Sequence, residues 1–299
     1  MKKYFTLFLV LSGIYSAFSQ VAQITEIEKE RNDILDDLFQ DNSDIDELMV
    51  SLSNYQLLYI SANYNDATYF SGRDIGIDQY NIRPQITYLN SSGVFASIYG
   101  IYYSELQPKW DVGSATLGYG KNFGKNNLFK YYASYSRYFY NNTALYGFSN
   151  DISIGLSIRD KKGILGSQFT TSYLFGKDQT IQIASTTYAN INLLKTKKSK
   201  LVVRPQISII AGKQTIELAQ SYTHMGQVST TYSTNNVFNL INTQLNVPLQ
   251  FNTNSFDFEL GYNINFPHAI GNESNLKNTH FFNFAIGYLF DLKHKKQYY

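Results

Sequence analysis

Arg83 and Arg204 each open the tetrapeptide Arg-Pro-Gln-Ile, once at 83–86 and again at 204–207. In both copies the guanidinium and the amide two residues later, Gln85 or Gln206, alternate with apolar neighbours: Ile82, Pro84 and Ile86 in the first, Val203, Pro205 and Ile207 in the second. Successive side chains of an extended chain point to opposite faces, so each copy sets Arg and Gln on one face and apolar groups on the other. Asp257 and Glu259 occupy the same polar parity against Phe256, Phe258 and Leu260, and Asp151 does so against Ile152 and Ile154. Guanidiniums and carboxylates that face a common interior can do either of two things. They can form a structural salt-bridge network, or they can set opposed fields across a constriction that selects charged or polar solutes.

Chemistry of other kinds finds little support. The chain has no cysteine, which removes disulfides, thiol catalysis and cysteine acylation. Asp74-Ile75-Gly76-Ile77-Asp78 places two carboxylates near a glycine but lacks the further oxygen ligands of a calcium loop. Asp74, Asp78 and His268 could meet at a loop rim, yet nothing in the sequence brings them together. The lysine runs Lys161-Lys162 and Lys195 to Lys200 read as solubility and headgroup contacts rather than a nucleic-acid surface. No catalytic residue, metal site or cofactor is expected.

The elements that must position the charged residues are long alternating strands. From Phe282 to Leu292 one parity reads Phe282, Phe284, Ile286, Tyr288, Phe290, Leu292, and the other Asn283, Ala285, Gly287, Leu289, Asp291. The block before it repeats the pattern, Phe256 to Phe266 against Asp257, Glu259, Gly261, Asn263 and Asn265. Such blocks are longer than ordinary strands and their apolar face is rich in Phe and Tyr. That suits tilted strands crossing a bilayer, with lipid outside and a polar lumen inside. A mean hydropathy of −0.26 agrees, because alternation dilutes the apolar face.

Twelve blocks are legible: 55–65, 79–89, 94–104, 110–123, 128–140, 149–159, 164–175, 180–194, 200–212, 236–251, 255–267 and 279–292. Connections alternate between tight polar turns, such as Asn90 to Gly93 and Asp160 to Gly163, and mostly longer segments, such as Asp66 to Asp78 and Lys213 to Asn235, with only Gly176 to Gln179 breaking the trend. Short inner turns, long outer loops and both termini on one side require an even strand number. The glycines, serines and threonines on the inward parity, among them Gly118, Gly155, Gly166 and Gly287, would leave a water-filled path or room for a plug.

The first residues read as a secretory signal (1–19): Lys2 and Lys3, an apolar stretch from Phe5 to Tyr15, and Ala17-Phe18-Ser19 before Gln20. A 20–50 segment follows in which ten carboxylates, from Glu26 to Glu47, face only Lys29 and Arg31. Ile24, Ile27, Ile34, Leu35 and Leu38 recur there at roughly helical spacing. The rest of the chain carries the opposite excess of charge. The acidic segment is therefore either a solvated periplasmic leader, a helix docked on the barrel near Lys121, Lys125, Lys130 or Arg159, or a contact for another envelope protein. The barrel is expected over 51–292, with a basic tail at 293–299.

On the alternating aromatic strand Phe282 to Phe290, the chain resembles the bacterial outer-membrane β-barrel class over residues 51–292, and its Asn/Tyr/Lys-rich composition looks like that of Bacteroidota proteins. The resemblance implies residence in a Gram-negative outer membrane, contact with lipid, and recognition of the last strand by the barrel-insertion machinery. Such terminal signals usually end on the last aromatic residue, whereas Lys293 to Tyr299 follow here. A barrel lipase of that class would need a Ser two residues after a His. His224, His268, His280 and His294 are followed at that distance by Gly226, Ile270, Phe282 and Lys296, so an enzyme is not expected. The expected fold is an all-β, antiparallel up-and-down barrel of about twelve strands. The expected function is a diffusion channel or small-solute transporter, with a non-conducting accessory barrel as the alternative.

Overall fold

In a computed structural model the described residues are 56–292, apart from 107, 124–127, 142–146, 197–198, 214–217, 225–226, 234–237, 254, 271–272 and 275. The expected signal sequence (1–19), the acidic 20–50 segment and the 293–299 tail lie outside them. The long strands are β1 (Gln56–Asn65), β2 (Asn81–Asn90), β3 (Val94–Tyr103), β4 (Trp110–Phe123), β5 (Phe129–Tyr140) and β6 (Phe148–Arg159). They continue as β7 (Leu165–Gly176), β8 (Gln179–Ala189, then Ile191–Lys195) and β9 (Ser199–Val203, then Gln206–Lys213). The last three are β10 (Phe238–Thr253), β11 (Phe256–Pro267) and β12 (Thr279–Asp291). Each pairs antiparallel with its sequence neighbours, and β12 pairs with β1 from Leu57↔Asp291 to Asn65↔Asn283. The described residues thus form a closed twelve-stranded barrel, and closure leaves none of the twelve as an unpaired edge.

Parity along the strands decides what each residue meets. On β12 the residues Asn283, Ala285, Gly287 and Leu289 are buried, whereas Phe282, Phe284, Ile286 and Phe290 are exposed. The greasy face has no second sheet against it: Phe256 is 45% and Phe284 46% exposed, and Ile154 on β6 is 59% exposed. A soluble sandwich would bury these side chains, whereas hydrocarbon leaves them uncovered by protein. Aromatic rings gather at both ends of this outer face. Phe123–Phe129 and Phe256–Tyr288, with centroids 5.4 and 4.6 Å apart, lie at the tight-turn end. Tyr64–Tyr80 and Tyr102–Trp110, at 5.6 and 5.5 Å, lie at the long-loop end. Two girdles bounding an apolar band are what the two membrane interfaces select.

The prolines of the duplicated tetrapeptide act differently in their two settings. Lacking an N–H, proline cannot donate to a ladder. At Pro84 the pairing with β1 keeps its register through Ala62↔Pro84, but no β3 partner is recorded for Arg83 or Pro84. At Pro205 the strand divides between Val203 and Gln206. Arg204 N then donates to Pro248 O (3.0 Å), and Pro205 O accepts from Ala189 N (3.0 Å). The break coincides with one in β8 at Asn190, whose N–H turns to Ile164 O (2.7 Å). Beyond it Ile191–Lys195 and Ser199–Val203 form an extended hairpin at the inner end, with every residue of its first arm exposed.

Candidate functional site in the barrel lumen

Four of the inward glycines are neither a water path nor room for an inserted segment. They are seats for inward aromatic rings. A Cβ on Gly118 would strike the ring of Phe95, one on Gly155 the ring of Tyr132, one on Gly166 the ring of Tyr188, and one on Gly287 the Tyr59 hydroxyl end. Each ring closes on the neighbouring strand where nothing projects. Tyr132 uses the position to hydrogen-bond Thr170 (Oη···Oγ1 2.8 Å). Toward the tight-turn end, Leu57, Leu89, Phe95, Tyr132, Val202 and Leu289 point inward and are each at most 3% exposed. This end of the barrel interior is packed with side chains.

Above that packed end two cavities lie side by side. One, of about 360 Å³, runs along β10–β12 and β1–β3. The other, of about 290 Å³, lies against β3–β9. Arg83, Ile210 and Gln244 line both. The charged residues singled out from the sequence all take the inward parity, but they do not form one cluster. Arg83 stands on the shared wall; Glu259 lines the larger cavity and Asp151 the smaller. Arg204 is fully buried away from both, with its guanidinium 3.8 Å from the centre of the Tyr188 ring, a close cation–π contact. Asp257 is fully buried below Glu259 on β11. Glu259 is held by amides: Asn283 Nδ2 donates to its Oε1 (2.6 Å) and Gln250 Nε2 to its Oε2 (3.0 Å). Gln85 donates to Thr87 Oγ1 (3.1 Å), Gln206 is buried beside the break in β9, and Asp151 Oδ2 accepts from Ser153 Oγ (2.8 Å).

Sequence reasoning read Asp66 to Asp78 as a long loop with two carboxylates, Asp74 and Asp78, near a glycine, and missed how it folds. Tyr69–Phe70 and Arg73–Asp74 form a short hairpin around Ser71 (φ 51°) and Gly72 (φ 78°), the two left-handed residues of a tight hairpin turn. The turn reaches into the barrel. A Cβ on Gly72 would meet the inward side chain of Asn242 on β10, and Gly72 O accepts from Thr279 Oγ1 of β12 (2.9 Å). Arg73 then clamps the loop. Its Nε and Nη2 donate to Glu273 Oε1 and Oε2 (2.9 Å each), Nη2 also to His268 O (2.7 Å), and Nη1 to Ser71 O (3.0 Å). Both partners of this bidentate pair are 5% exposed. The hairpin residues Tyr69 to Gly72 line the larger cavity. The Ser-Gly pair between Tyr69-Phe70 and Arg73 was the available signal for the turn. Its partner in another loop, 200 residues away, had none.

Tightly turned inner connections, two aromatic girdles and an uncovered apolar belt around a polar, closed interior leave one environment. The chain is an outer-membrane β-barrel of a Gram-negative bacterium. No protein-family model matches it, and no curated protein does either. Among solved structures it is similar to the NanC porin (TM-score 0.44, 12% identity, covering 79% of this chain and 100% of that one). It is also similar to the KdgM porin (0.42, 8%, 78% and 98%) and to an outer-membrane channel from Pseudomonas putida F1 (0.46, 9%, 79% and 95%). Likenesses at this distance carry nothing about solute or mechanism.

Proposed function

We propose that this barrel is a narrow diffusion channel for small polar solutes. The observation that carries the reading is the lining of the two lumen cavities. Inward Asn, Gln, Ser and Thr side chains are the largest group in it, interleaved with rings such as Tyr59, Tyr103 and Tyr132 and with the charged Arg83, Glu259 and Asp151, and the cavities adjoin at Arg83 and Gln244. A polar wall replaces hydration for a passing solute at little cost, which a merely structural core has no need to do. Arg83 between Glu259 on one side and Asp151 on the other favours the constriction reading of the charged residues, with opposed fields acting on whatever passes the shared wall.

One observation favours the second reading, a non-conducting accessory barrel. The inner end is packed by Leu57, Leu89, Phe95 and Leu289, so a solute leaving toward the periplasm must displace side chains. The acidic 20–50 segment would then supply the contact with an envelope partner. Planar-bilayer recording of the full mature chain separates the two. Stable unitary steps that grow when Leu89 and Phe95 are replaced by Ala support a channel with a side-chain floor. Folded protein that gives no steps across salts and voltages, with or without those substitutions, removes the channel reading.

A further inference from the structure

The inner rim of the barrel is not level. Ala189 on β8 pairs with Leu165, the first residue of β7, and beyond that pair β8 has no β7 opposite it. The tight turn of residues 160–163 joins β6 to β7 there, and the root of the extended hairpin is tied to it. Asn190 N donates to Ile164 O (2.7 Å) and Asn190 Nδ2 to Gly163 O (2.9 Å). Ile191–Lys195 then runs on past the turn, bonded only to Ser199–Val203, which is bonded in turn to β10. A step results between the short turn and the long hairpin. Its wall is the open edge of Ile191–Lys195, a row of backbone N–H and C=O groups that no strand among the described residues meets.

Hydrocarbon does not tolerate such an edge, because lipid offers unpaired backbone groups nothing to bond. The edge therefore stands at or beyond the inner headgroups. Its side chains are nonetheless apolar: Ile191, Leu193 and Leu194 are 49%, 56% and 53% exposed. Bare backbone groups beside uncovered apolar side chains are a template for another chain segment. The charge around the step selects which one. Lys161 and Lys162 stand on the turn at its head and Lys195 at the end of the edge. All three are exposed, and none forms an ion pair among the described residues. Asp160, the one acid of the turn, spends its carboxylate on three backbone N–H groups.

An apolar, cationic step fits an apolar, anionic segment, and this chain carries one. In residues 20–50 ten carboxylates face two cations, and Ile27, Ile34, Leu35 and Leu38 supply apolar groups. That segment joins β1, which begins at Gln56 on the same rim. Twelve tilted strands ~4.8 Å apart enclose a barrel roughly 25 Å across, and about 30 residues span ~45 Å even when wholly helical, so the segment reaches the step. A second copy of the barrel would bring lysines to lysines. We propose that the acidic 20–50 segment docks in this step, with its apolar side chains on Ile191, Leu193 and Leu194 and its carboxylates toward Lys161, Lys162 and Lys195. Burial of apolar area supplies the affinity, and the exposed charge pairs mainly select the partner. The inference does not depend on whether the barrel conducts.

The lack of any cysteine makes a direct test available. In the full mature chain, folded in lipid vesicles, Leu193→Cys is combined in turn with Ile27→Cys, Leu35→Cys and Leu38→Cys. Disulfides formed under mild oxidation are mapped by mass spectrometry, and heat-modifiable gel mobility checks that each barrel is folded. Leu117→Cys, on the lipid belt, replaces Leu193→Cys as the control. Expected is a bridge within one chain from Leu193→Cys to at least one of the three positions, independent of protein density and absent from the control. Lys161→Glu, Lys162→Glu and Lys195→Glu together should slow its formation about fivefold. Hydrogen exchange needs no substitution: amides within residues 20–50 should be protected in the unmodified chain, and less so at high salt. Fast exchange throughout 20–50 overturns the proposal and leaves headgroups and water against the step. Protection without a bridge from Leu193→Cys overturns it by placing the segment elsewhere. Bridges between chains assign the step to a second copy, and protection that requires a co-purified envelope protein assigns it to that partner; either result overturns docking within the chain.

Discussion

At the scale of single residues, the interior is governed by what glycine leaves out. Gly155 has room for the Tyr132 ring only because it lacks a Cβ, and Gly118 stands in the same relation to Phe95. Gly155→Val should therefore force an off-rotamer tyrosine or a backbone shift, at a cost of ~1–3 kcal/mol. Urea unfolding in lipid vesicles measures it; an unchanged midpoint would mean the ring is free to move into the lumen. Asp160, in the turn after β6, offers a different test. Its carboxylate accepts from the backbone N–H groups of Leu165 (2.9 Å), Ile164 (2.6 Å) and Lys162 (3.3 Å). These bonds, with that from Leu165 foremost, hold its pKa below the ordinary carboxyl value although the group is fully exposed. A depressed folded-state pKa gives stability that is complete above the unfolded value of ~3.9 and is lost as pH falls through the folded one. The stability gap between the wild-type chain and Asp160→Ala should thus be present at pH 7 and shrink once the pH drops below about 4. A gap that does not change with pH would assign the effect to turn geometry rather than to charge.

At the scale of elements, the first outer loop is held by side chains rather than by the strand ladder. The strands are bonded along their lengths, whereas the hairpin at Tyr69–Asp74 is held in the mouth by side chains: Arg73 on Glu273 and His268 O, Thr279 on Gly72 O, and Tyr69 on His280 O. Removing one partner of a buried ion pair costs ~3–5 kcal/mol, because the other is left uncompensated. Glu273→Ala should therefore release the hairpin. Trypsin should then cut the folded protein after Arg73, and any unitary conductance should rise. The barrel itself should stay folded, as read by its heat-modifiable gel mobility, since no ladder bond is touched. Continued resistance at Arg73 would show that the other contacts suffice to hold the loop.

For the whole molecule, the decisive property is that its apolar surface is on the outside. Ile154 on β6 is 59% exposed in the middle of the belt. On a soluble protein an exposed Ile→Arg change is close to neutral. Here Ile154→Arg should destabilise the barrel by roughly 2–4 kcal/mol, the depth-dependent cost of a cation facing lipid near the midplane. Folding equilibria in thin-bilayer vesicles check this, and a neutral result would contradict the membrane orientation. The charge asymmetry between residues 20–50 and the barrel belongs to this scale as well. Deleting that segment should raise conductance if it docks at the inner mouth and leave it unchanged if it is a loose leader.

The sequence by itself determined the barrel, its strand number, and which side chains of many of its strands face inward. The reason is local. A period of two is written into each strand, and lipid and lumen demand opposite residue types, so Phe284 and Asn283 could be assigned from one chain segment. Turn chemistry then fixed the ends of most strands, as at Asn90 to Gly93. Where a residue's role depends on a partner far along the chain, the sequence was silent. Arg83 and Arg204 open identical tetrapeptides, yet one lines both cavities and the other is sealed on Tyr188, because the neighbouring strands differ. Gly155 reads as empty space until Tyr132 is placed beside it. Arg73 and Glu273 are ordinary loop residues until closure of the barrel brings the first and last outer loops together. Inward direction is a property of one strand and its two solvents; neighbourhood across the lumen exists only once β12 has closed on β1.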